Sequence, residues 1–116
     1  KTWKGILTNM EIFKFEDMVG GWFVGNFEPT AYKTEDYEVC YKLHKKGESW
    51  DTHYHKKGTE INLLLSGRMS INGTIIESGD IFVIKPFYVS EPEFLEDCAL
   101  VIVKTVSDTN DKYIVR

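Results

Sequence analysis

The feature that most constrains the fold of this sequence is a series of short apolar or alternating runs separated by turn residues. The clearest run extends from Tyr37 to His44, where apolar and polar side chains alternate one by one. An alternation with a period of two is typical of a β-strand, because successive side chains of a strand point to opposite faces. The sequence has no long stretch with helical periodicity, so the pattern predicts an all-β sandwich or barrel.

The runs predict nine to eleven short strands. They cover residues 10–15, 22–27, 37–44, 51–55, 60–65, 68–71, 74–77, 81–84, 98–105 and 113–115. Asn72-Gly73 is a preferred pair for a two-residue hairpin turn. Residues 16–19 are interpreted as a turn or a single helical turn, and residues 86–92 as a loop or a broken sheet edge.

The length of 116 residues suits one domain that folds around its own core. We therefore expect a single domain over residues 1–116, with a barrel core at about 37–106. Strands within 9–27 would precede this core, and residues 107–116 would form a C-terminal edge. Hydrophobic residues at 42% and charged residues at 28% fit an ordinary globular protein.

The charge distribution argues against a nucleic acid partner. The net charge is −4, and the longest basic runs are the pairs Lys45-Lys46 and Lys56-Lys57. The longest apolar run is six residues, 98–103, whereas a membrane span needs about 20. The sequence thus predicts a soluble cytoplasmic protein without a membrane partner, whose ligand is a small molecule.

The two cysteines, Cys40 and Cys98, lie in separate strand-like runs. They form no CxxC motif, and cytosolic cysteines are usually free and buried. We expect inert buried thiols, with a disulfide between them as the alternative.

The strongest chemical signal is the pair His53-x-His55, followed by Glu60 after a turn at Gly58. Positions two apart on a strand face the same side, so both imidazoles would point one way. If the two strands pair antiparallel, Glu60 lies beside the histidines. Two imidazoles and a carboxylate suit Fe, Mn, Ni, Cu or Zn about equally and leave coordination positions open. The alternative is a polar surface pair with a solvent-facing carboxylate.

The spacing of this group resembles the first motif of the cupin superfamily. Five residues separate Gly47 from His53, one separates the histidines, four precede Glu60, and six precede Gly67. Residues 79–86 are similar to the second cupin motif. The resemblance, to small single-domain RmlC-like cupins of bacteria and phages, implies a double-stranded β-helix, which is a jelly-roll-like antiparallel barrel. It also implies a metal site at His53, His55 and Glu60.

The second motif departs from the family pattern at one important position. Cupins usually place a fourth ligand, a histidine, where this chain has Ser90, and Lys85 and Phe87 replace the motif's proline and glycine. The resemblance then implies a three-ligand site completed by water, or a substitute carboxylate from Glu91 or Glu93. In the alternative, the site holds metal weakly or not at all, and its residues bind a ligand by hydrogen bonds.

Four residues are candidates for the lining of a pocket. Asn62 and Leu64 share the parity of Glu60, and Tyr88 and Ser90 lie in the altered second motif. Asn62 would orient a ligand or a ligating side chain, or serve as a core amide. Two further expectations come from parity: His44 faces solvent, and a second set packs between sheets. That second set consists of Ile61, Leu63 and Leu65.

The sequence leaves the reaction open, including whether one exists, because the cupin fold hosts many chemistries. The first hypothesis is a metal-dependent enzyme acting on a small polar molecule. The second is a binding or sensing module without catalysis. The third is a metal-free isomerase of the sugar type, which needs a histidine–carboxylate pair as general base. Because edge strands need cover, we also expect a homodimer, formed through the N-terminal strands or the Phe87-Tyr88 region.

Overall fold

The computed structural model describes residues 4–7 and 9–116. These residues form an all-β structure with one short 3₁₀ helix at Phe15–Asp17. The ten strands are β1 (Trp22–Val24), β2 (Tyr37–His44), β3 (His53–Tyr54), β4 (Thr59–Ser66), β5 (Arg68–Ile71), β6 (Thr74–Glu77), β7 (Ile81–Ile84), β8 (Pro92–Phe94), β9 (Cys98–Thr105) and β10 (Tyr113–Ile114).

The strands form three antiparallel sheets. The largest has five strands in the order β1-β2-β9-β4-β7, the second has the order β6-β5-β8, and β10 pairs with β3 in the third. Strands that are distant in sequence are neighbours in the five-stranded sheet, since β9 lies between β2 and β4. The fold class predicted from the alternation, all-β and antiparallel, is confirmed.

Several predicted strands are confirmed residue by residue. β2, β5, β6, β7 and β9 have the predicted bounds, and β4 extends the prediction by one residue at each end. The hairpin between β5 and β6 turns at Asn72 and Gly73, which have φ values of 50° and 83°. Both central residues thus have positive φ, as the predicted turn requires.

The N-terminal prediction is wrong in part. Residues 10–15 form no strand: residues 9–14 are irregular and Phe15 begins the 3₁₀ helix. Only Trp22–Val24 of the expected strands within 9–27 is a strand. The alternation of residues 10–15 is real, but within the described part of the chain these residues have no partner strand.

The prediction that His44 faces solvent is also wrong. On β2 the side chains of Glu38, Cys40 and His44 are buried, whereas Leu43 is 67% exposed. The parity of the strand was predicted correctly, but its polar face points into the barrel. Alternation shows which side chains share a face, but it does not show which face lies inside the barrel. A barrel whose cavity is lined by charged and polar side chains reverses the usual assignment of the polar face to solvent.

The same reversal affects β4. Ile61 and Leu65 are 40% and 45% exposed, and Leu63 is partly buried. These residues were expected to pack between sheets, but they lie on the outer face of the five-stranded sheet. Asn62 and Leu64, on the opposite face, are buried.

The hydrophobic core lies between the five-stranded and the three-stranded sheets. Its buried members come from β4, β5, β6, β8 and β9. They are Leu64, Met69, Ile71, Ile76, Phe94, Cys98 and Leu100. Both cysteines are free and buried, as predicted, and burial raises the pKa of Cys40 to about 11. The helix among the described residues is too short to cross a membrane.

Candidate metal centre

The side chains of His53, His55 and Glu60 come together from β3, from the turn that follows it, and from β4. His53 lies on β3 and is paired with Ile114 of β10. Glu60 lies on β4, where its neighbours are Ile84 of β7 and Lys104 of β9. β3 and β4 therefore belong to different sheets, so the antiparallel pairing that the sequence interpretation used as its condition does not occur. Glu60 meets the histidines across the corner of the barrel.

The three side chains form a compact donor set. One potential ligand atom from each lies within 4.8 Å of the others. The Nδ1 atom of His55 is 3.2 Å from Oε2 of Glu60, and the centroids of the two imidazole rings are 5.3 Å apart. Two imidazole nitrogens and a carboxylate oxygen fit a divalent transition metal ion.

The backbone fixes the orientation of His53. Its Nδ1 atom is 2.9 Å from the carbonyl oxygen of Asp51, and because a carbonyl only accepts, Nδ1 must donate. The proton thus sits on Nδ1, and the Nε2 lone pair is free to bind a metal. A histidine ligand is commonly held in this way by a carbonyl behind it.

Burial shifts the pKa values of the other two residues in opposite directions. Burial, helped by the charges of Lys104 and His53, lowers the pKa of His55 to about 4. The imidazole is therefore neutral at physiological pH, as a metal ligand must be. Burial raises the pKa of Glu60, while Lys104 and His53 act in the opposite direction. A bound metal ion would place a further positive charge beside this carboxylate.

The position of the usual fourth ligand belongs to Ser90, which is buried next to His53. Its backbone pairs with His53 in an isolated antiparallel bridge. Glu91 and Glu93 are exposed, so neither replaces the missing histidine. Among the described residues, His53, His55 and Glu60 form the only group with metal-ligand geometry.

The three residues open onto a cavity of about 510 Å³, a volume typical of small-molecule sites. Its floor is apolar and includes Met69, Phe82 and Phe94. Polar side chains from four strands and from the connecting loops line it. Among them are Glu38, Lys42, His44, His53, His55, Glu60, Asn62, Ser90, Lys104 and Lys112.

Asn62 contributes an unpaired donor to this cavity. The residue is 3% exposed, and its Nδ2 atom is buried without a hydrogen-bond partner. The amide lies close enough to Glu60 to lower the pKa of that carboxyl group. A buried unpaired amide costs free energy, so this group needs an acceptor that arrives with a ligand or a water molecule.

A buried ion pair borders the carboxylate of Glu60. Lys104, opposite Glu60 on β9, directs its Nζ atom to Oε1 of Glu38 at 2.8 Å. The other Glu38 oxygen accepts a hydrogen bond from the hydroxyl of Ser107 at 2.9 Å. Glu38, Lys104 and Glu60 thus form a row of alternating charge across three strands on the inner face of the sheet.

His44 lines the same cavity and forms a second histidine–carboxylate pair with Glu48. Nδ1 of His44 is 2.5 Å from Oε2 of Glu48, and the indole N–H of Trp50 donates to the same oxygen at 2.6 Å. The ring of His44 stacks on Phe94 with centroids 4.1 Å apart. The hydrogen bonds from His44 and Trp50 lower the pKa of Glu48 to about 2.

No protein-family model and no curated protein matches this sequence. Solved structures do. A protein with a double-stranded β-helix domain from Klebsiella pneumoniae is 21% identical, with a TM-score of 0.66 and coverage of 98% of each chain. A cupin-2 domain protein from Shewanella frigidimarina is 18% identical, with a TM-score of 0.51, over 62% of this chain and 72% of that one.

This protein has the cupin fold. A third cupin-like neighbour, oxalate decarboxylase from Bacillus subtilis, is 17% identical with a TM-score of 0.60, over 70% of this chain and 24% of that one. At these identities the likeness concerns the fold, so the chemistry of this chain must be argued from its own side chains.

Two of the four expected pocket residues line the cavity, namely Asn62 and Ser90. Leu64 lies in the hydrophobic core. Tyr88 is 46% exposed on the outside, where its hydroxyl oxygen accepts a hydrogen bond from Asn72 at 3.0 Å.

The sequence did not reveal that His44, with its partner Glu48, and the Glu38–Lys104 pair belong to the cavity wall, to which His44, Glu38 and Lys104 contribute directly. The spacing of four residues between His44 and Glu48 was visible, but the assignment of the polar face of β2 to solvent concealed its meaning. Glu38 and Lys104 are far apart in sequence, and only the pairing of β2 with β9 brings them together.

Asp111 is a further residue that sequence reasoning missed. It is 2% exposed, and its carboxylate accepts hydrogen bonds from the backbone N–H groups of Lys56, Lys57 and Gly58 at 2.8–3.2 Å. Burial raises the pKa of Asp111, but these three hydrogen bonds outweigh burial and the pKa is lowered. Asp111 thus holds the turn that connects His55 to Glu60.

Proposed function

We propose that this cupin binds one divalent transition metal ion through His53, His55 and Glu60, and that the ion recruits a small polar molecule into the cavity. The observation that carries the proposal is the donor set itself, whose ligand atoms lie within 4.8 Å of one another at the wall of the cavity. The neutral state of His55 and the fixed tautomer of His53 support it further.

When bound, the metal ion would act as a Lewis acid that polarises an oxygen atom of the ligand. The side chains around it have separate tasks. Asn62 donates a hydrogen bond to the ligand through its unpaired Nδ2 atom. Lys104, held in place by Glu38, provides positive charge beside Glu60 and favours an oxygen-rich ligand. The apolar floor, with Met69 and Phe82, accommodates the rest of the molecule.

The proposal covers an enzyme and a binding module, because both need the same metal site. The two differ only in whether the bound molecule is converted to a product. If the protein is an enzyme, removal of the metal abolishes the conversion of its substrate. If it is a sensing module, the ligand leaves the metal-loaded protein unchanged.

Metal content tests the proposal directly. Protein purified without added metal and then reconstituted should hold about one equivalent of a transition metal ion per chain, as measured by elemental analysis. His53→Ala and Glu60→Ala should each abolish binding, because each removes one of three protein ligands. Glu91→Ala is the matched control and should leave binding unchanged, since Glu91 is exposed outside the donor set.

Two results would contradict the proposal. The first is metal content well below one equivalent after reconstitution with Mn, Fe, Ni, Cu and Zn in turn. The second is full retention of metal by both alanine variants, which would put the metal elsewhere.

The His44–Glu48 pair favours a second candidate function, proton transfer without a metal, as in an isomerase. Glu48 holds Nδ1 of His44, so Nε2 is left to exchange a proton with a ligand in the cavity. In this alternative the apo protein is active, and His44→Gln abolishes activity while metal content has no effect. An apo protein without activity, beside an active metal-loaded form, would exclude it.

A further inference from the structure

Two lysines meet one tryptophan where the cavity opens to solvent. Lys42, Trp50 and Lys112 all line the cavity. The Nζ atoms of Lys112 and Lys42 lie 4.7 Å and 5.8 Å from the centroid of the Trp50 ring. Lys112 is exposed, whereas Lys42 and Trp50 are partly buried. Two ammonium groups thus share one indole ring, which attracts both of them to the cavity wall.

Separate parts of the chain bring the two lysines to this ring. Lys42 lies on the inner face of β2, because it has the same parity as the buried residues Cys40 and His44. Its Nζ atom donates to the carbonyl oxygen of Gly20 at 2.8 Å. Lys112 directly follows Asp111, whose carboxylate is hydrogen-bonded to the turn at 56–58, and precedes β10. The backbone on both sides of the ring is therefore anchored.

Trp50 is itself held in place from behind. Its indole N–H donates to Oε2 of Glu48 at 2.6 Å, and the ring of His44 meets it edge to face with centroids 5.4 Å apart. Glu48 accepts from both Trp50 and His44. Since this carboxylate is occupied by these two hydrogen bonds, the ring is preset for its contacts with the lysines.

The carboxylates of the cavity leave the two lysines without a counter-charge. Among the described residues, neither Lys42 nor Lys112 forms an ion pair. Three glutamates line the cavity, and each is engaged elsewhere. Glu28 pairs with Lys33 at 3.3 Å, Glu38 pairs with Lys104 at 2.8 Å, and Glu60 belongs to the metal donor set. Two neighbouring cations without a counter-charge repel each other, and an anion between them removes this repulsion.

Deeper in the cavity, Asn62 provides a second and independent sign of the same demand. Its Nδ2 atom is the one buried side-chain nitrogen or oxygen atom within residues 4–7 and 9–116 that lacks a partner, and the residue is 3% exposed. This atom is a hydrogen-bond donor. The unmet polar groups of the cavity are thus donors and cations, so the complementary ligand is rich in acceptors and negatively charged.

The charge balance of the lining agrees with an anionic ligand. Three lysines and three glutamates line the cavity. With neutral histidines, their formal charges cancel. A divalent ion in the proposed site makes the lining positive, and a positive cavity with apolar walls attracts an anion.

We propose that the ligand of this cavity is a small organic acid, and that its carboxylate binds between Lys42 and Lys112 beside Trp50. Resting on the function proposed above, this subsite takes the end of the ligand opposite to the oxygen that the metal ion polarises. The apolar floor, with Met69, Phe82 and Phe94, accommodates the body of the molecule between the two ends.

The residue types favour a carboxylate over a phosphate group. Phosphate groups are commonly bound by arginine forks or by backbone N–H groups at a helix N-terminus. No arginine lines the described cavity, and the 3₁₀ helix has only three residues. Two lysines on a ring match the single charge of a carboxylate, and the apolar floor matches a hydrocarbon body.

NMR titration of the EDTA-treated protein with hexanoate and hexanamide tests the proposal. These two probes have the same shape and differ in charge. Hexanoate should bind at least tenfold more tightly than hexanamide, and inorganic phosphate, which lacks the apolar body, should bind at least tenfold more weakly than hexanoate. The Trp50 indole signal, assigned with Trp50→Phe, should shift with hexanoate. Metal is removed because a carboxylate also binds a metal ion directly.

The lysine variants assign the subsite. Lys112→Met and Lys42→Met should each weaken hexanoate binding by about fivefold to tenfold, because each removes one charged contact. Both should leave hexanamide binding unchanged. Lys85→Met is the matched control, since Lys85 is exposed and does not line the cavity, and it should bind hexanoate as the native protein does. Circular dichroism verifies that each variant is folded.

Equal affinity for hexanoate and hexanamide, or equal hexanoate affinity in the native protein and both cavity variants, would overturn the proposal. Tighter binding of phosphate than of hexanoate would overturn the assignment to a carboxylate. Failure of the metal site is distinguishable from these results. A protein that holds no metal but binds hexanoate through the two lysines contradicts the proposed function alone. A protein that holds one equivalent of metal and shows no preference for hexanoate contradicts the carboxylate subsite alone.

Discussion

His53 and Ser90 face each other across a two-residue antiparallel bridge in which each backbone N–H donates to the other's carbonyl. The N···O distances are 3.1 Å from His53 and 2.8 Å from Ser90. Residues opposite each other in such a pair place their side chains on the same face. The side chain of Ser90 therefore stands beside a proposed metal ligand, in the place where cupins usually have a fourth one.

Ser90→His should restore a fourth protein ligand and tighten metal binding by about tenfold or more. Isothermal titration with Ni²⁺ or Mn²⁺ measures the change. Val89→His is the matched control, since Val89 is the preceding residue and is exposed, so it should bind metal as the native protein does. Equal affinity in both variants would mean that the side chain of residue 90 does not reach the metal.

Asp111→Ala should lower stability by about 3 kcal/mol, because three backbone N–H groups, one buried and two partly buried, lose a charged acceptor. Urea unfolding measures this cost. Metal affinity should fall as well, since the freed turn connects His55 to Glu60. Asp108→Ala, in the same loop, removes an exposed ion pair with Lys57 and should leave metal affinity unchanged. A normal metal affinity of the Asp111→Ala variant would show that the turn keeps its shape without the Asp111 carboxylate.

Lys104→Met should destabilise the protein by about 3–5 kcal/mol, because it leaves Glu38 as an unpaired buried charge. The double variant Glu38→Gln/Lys104→Met should recover much of this loss, since it removes both charges. Thermal unfolding of the two single variants and the double variant forms a double-mutant cycle. Additive losses would show that the two side chains do not act as a pair.

Glu48→Gln should lower stability at neutral pH by roughly 1 kcal/mol through weaker hydrogen bonds to His44 and Trp50. The pKa of Glu48 is about 2 in the folded protein, below its usual 4.5. Between these values the unfolded chain takes up a proton that the folded chain does not, so the stabilisation is complete above pH 4.5 and is lost as the pH falls towards 2. The difference in the free energy of unfolding between the native protein and the variant, measured by urea unfolding, should decrease over this pH interval. A difference in the free energy of unfolding that stays constant down to pH 2 would refute the assignment of this stabilisation to the ionised Glu48 carboxylate.

The sequence predicted the strands of the barrel well, for a local reason. β2 and β9 were predicted to the residue because alternation, turn glycines and apolar runs are all properties of neighbouring residues. The spacing of the three proposed metal ligands is also local, and the structure brings their ligand atoms within 4.8 Å of one another.

What the sequence could not provide depends on distant contacts. The inner face of β2 was assigned to solvent because its side chains are polar, and only the closed barrel shows that they line a cavity. The partner of β3 is β10, about sixty residues away, and not β4. Residues 10–15 were predicted as a strand because a local pattern cannot show that the described part of the chain offers them no partner strand.

The hydrogen bonds from the turn at Lys56–Gly58 to Asp111 have a consequence for the stage of synthesis at which the histidines and Glu60 are aligned. His53, His55 and Glu60 leave the ribosome about fifty residues before Asp111 and the β10 strand that pairs with β3. The nascent chain thus carries its histidines and carboxylate without the parts that align them. With the metal site proposed above, selective binding would begin only once Asp111 and β10 have been synthesised, and an ion bound earlier by the still unfolded segment could exchange.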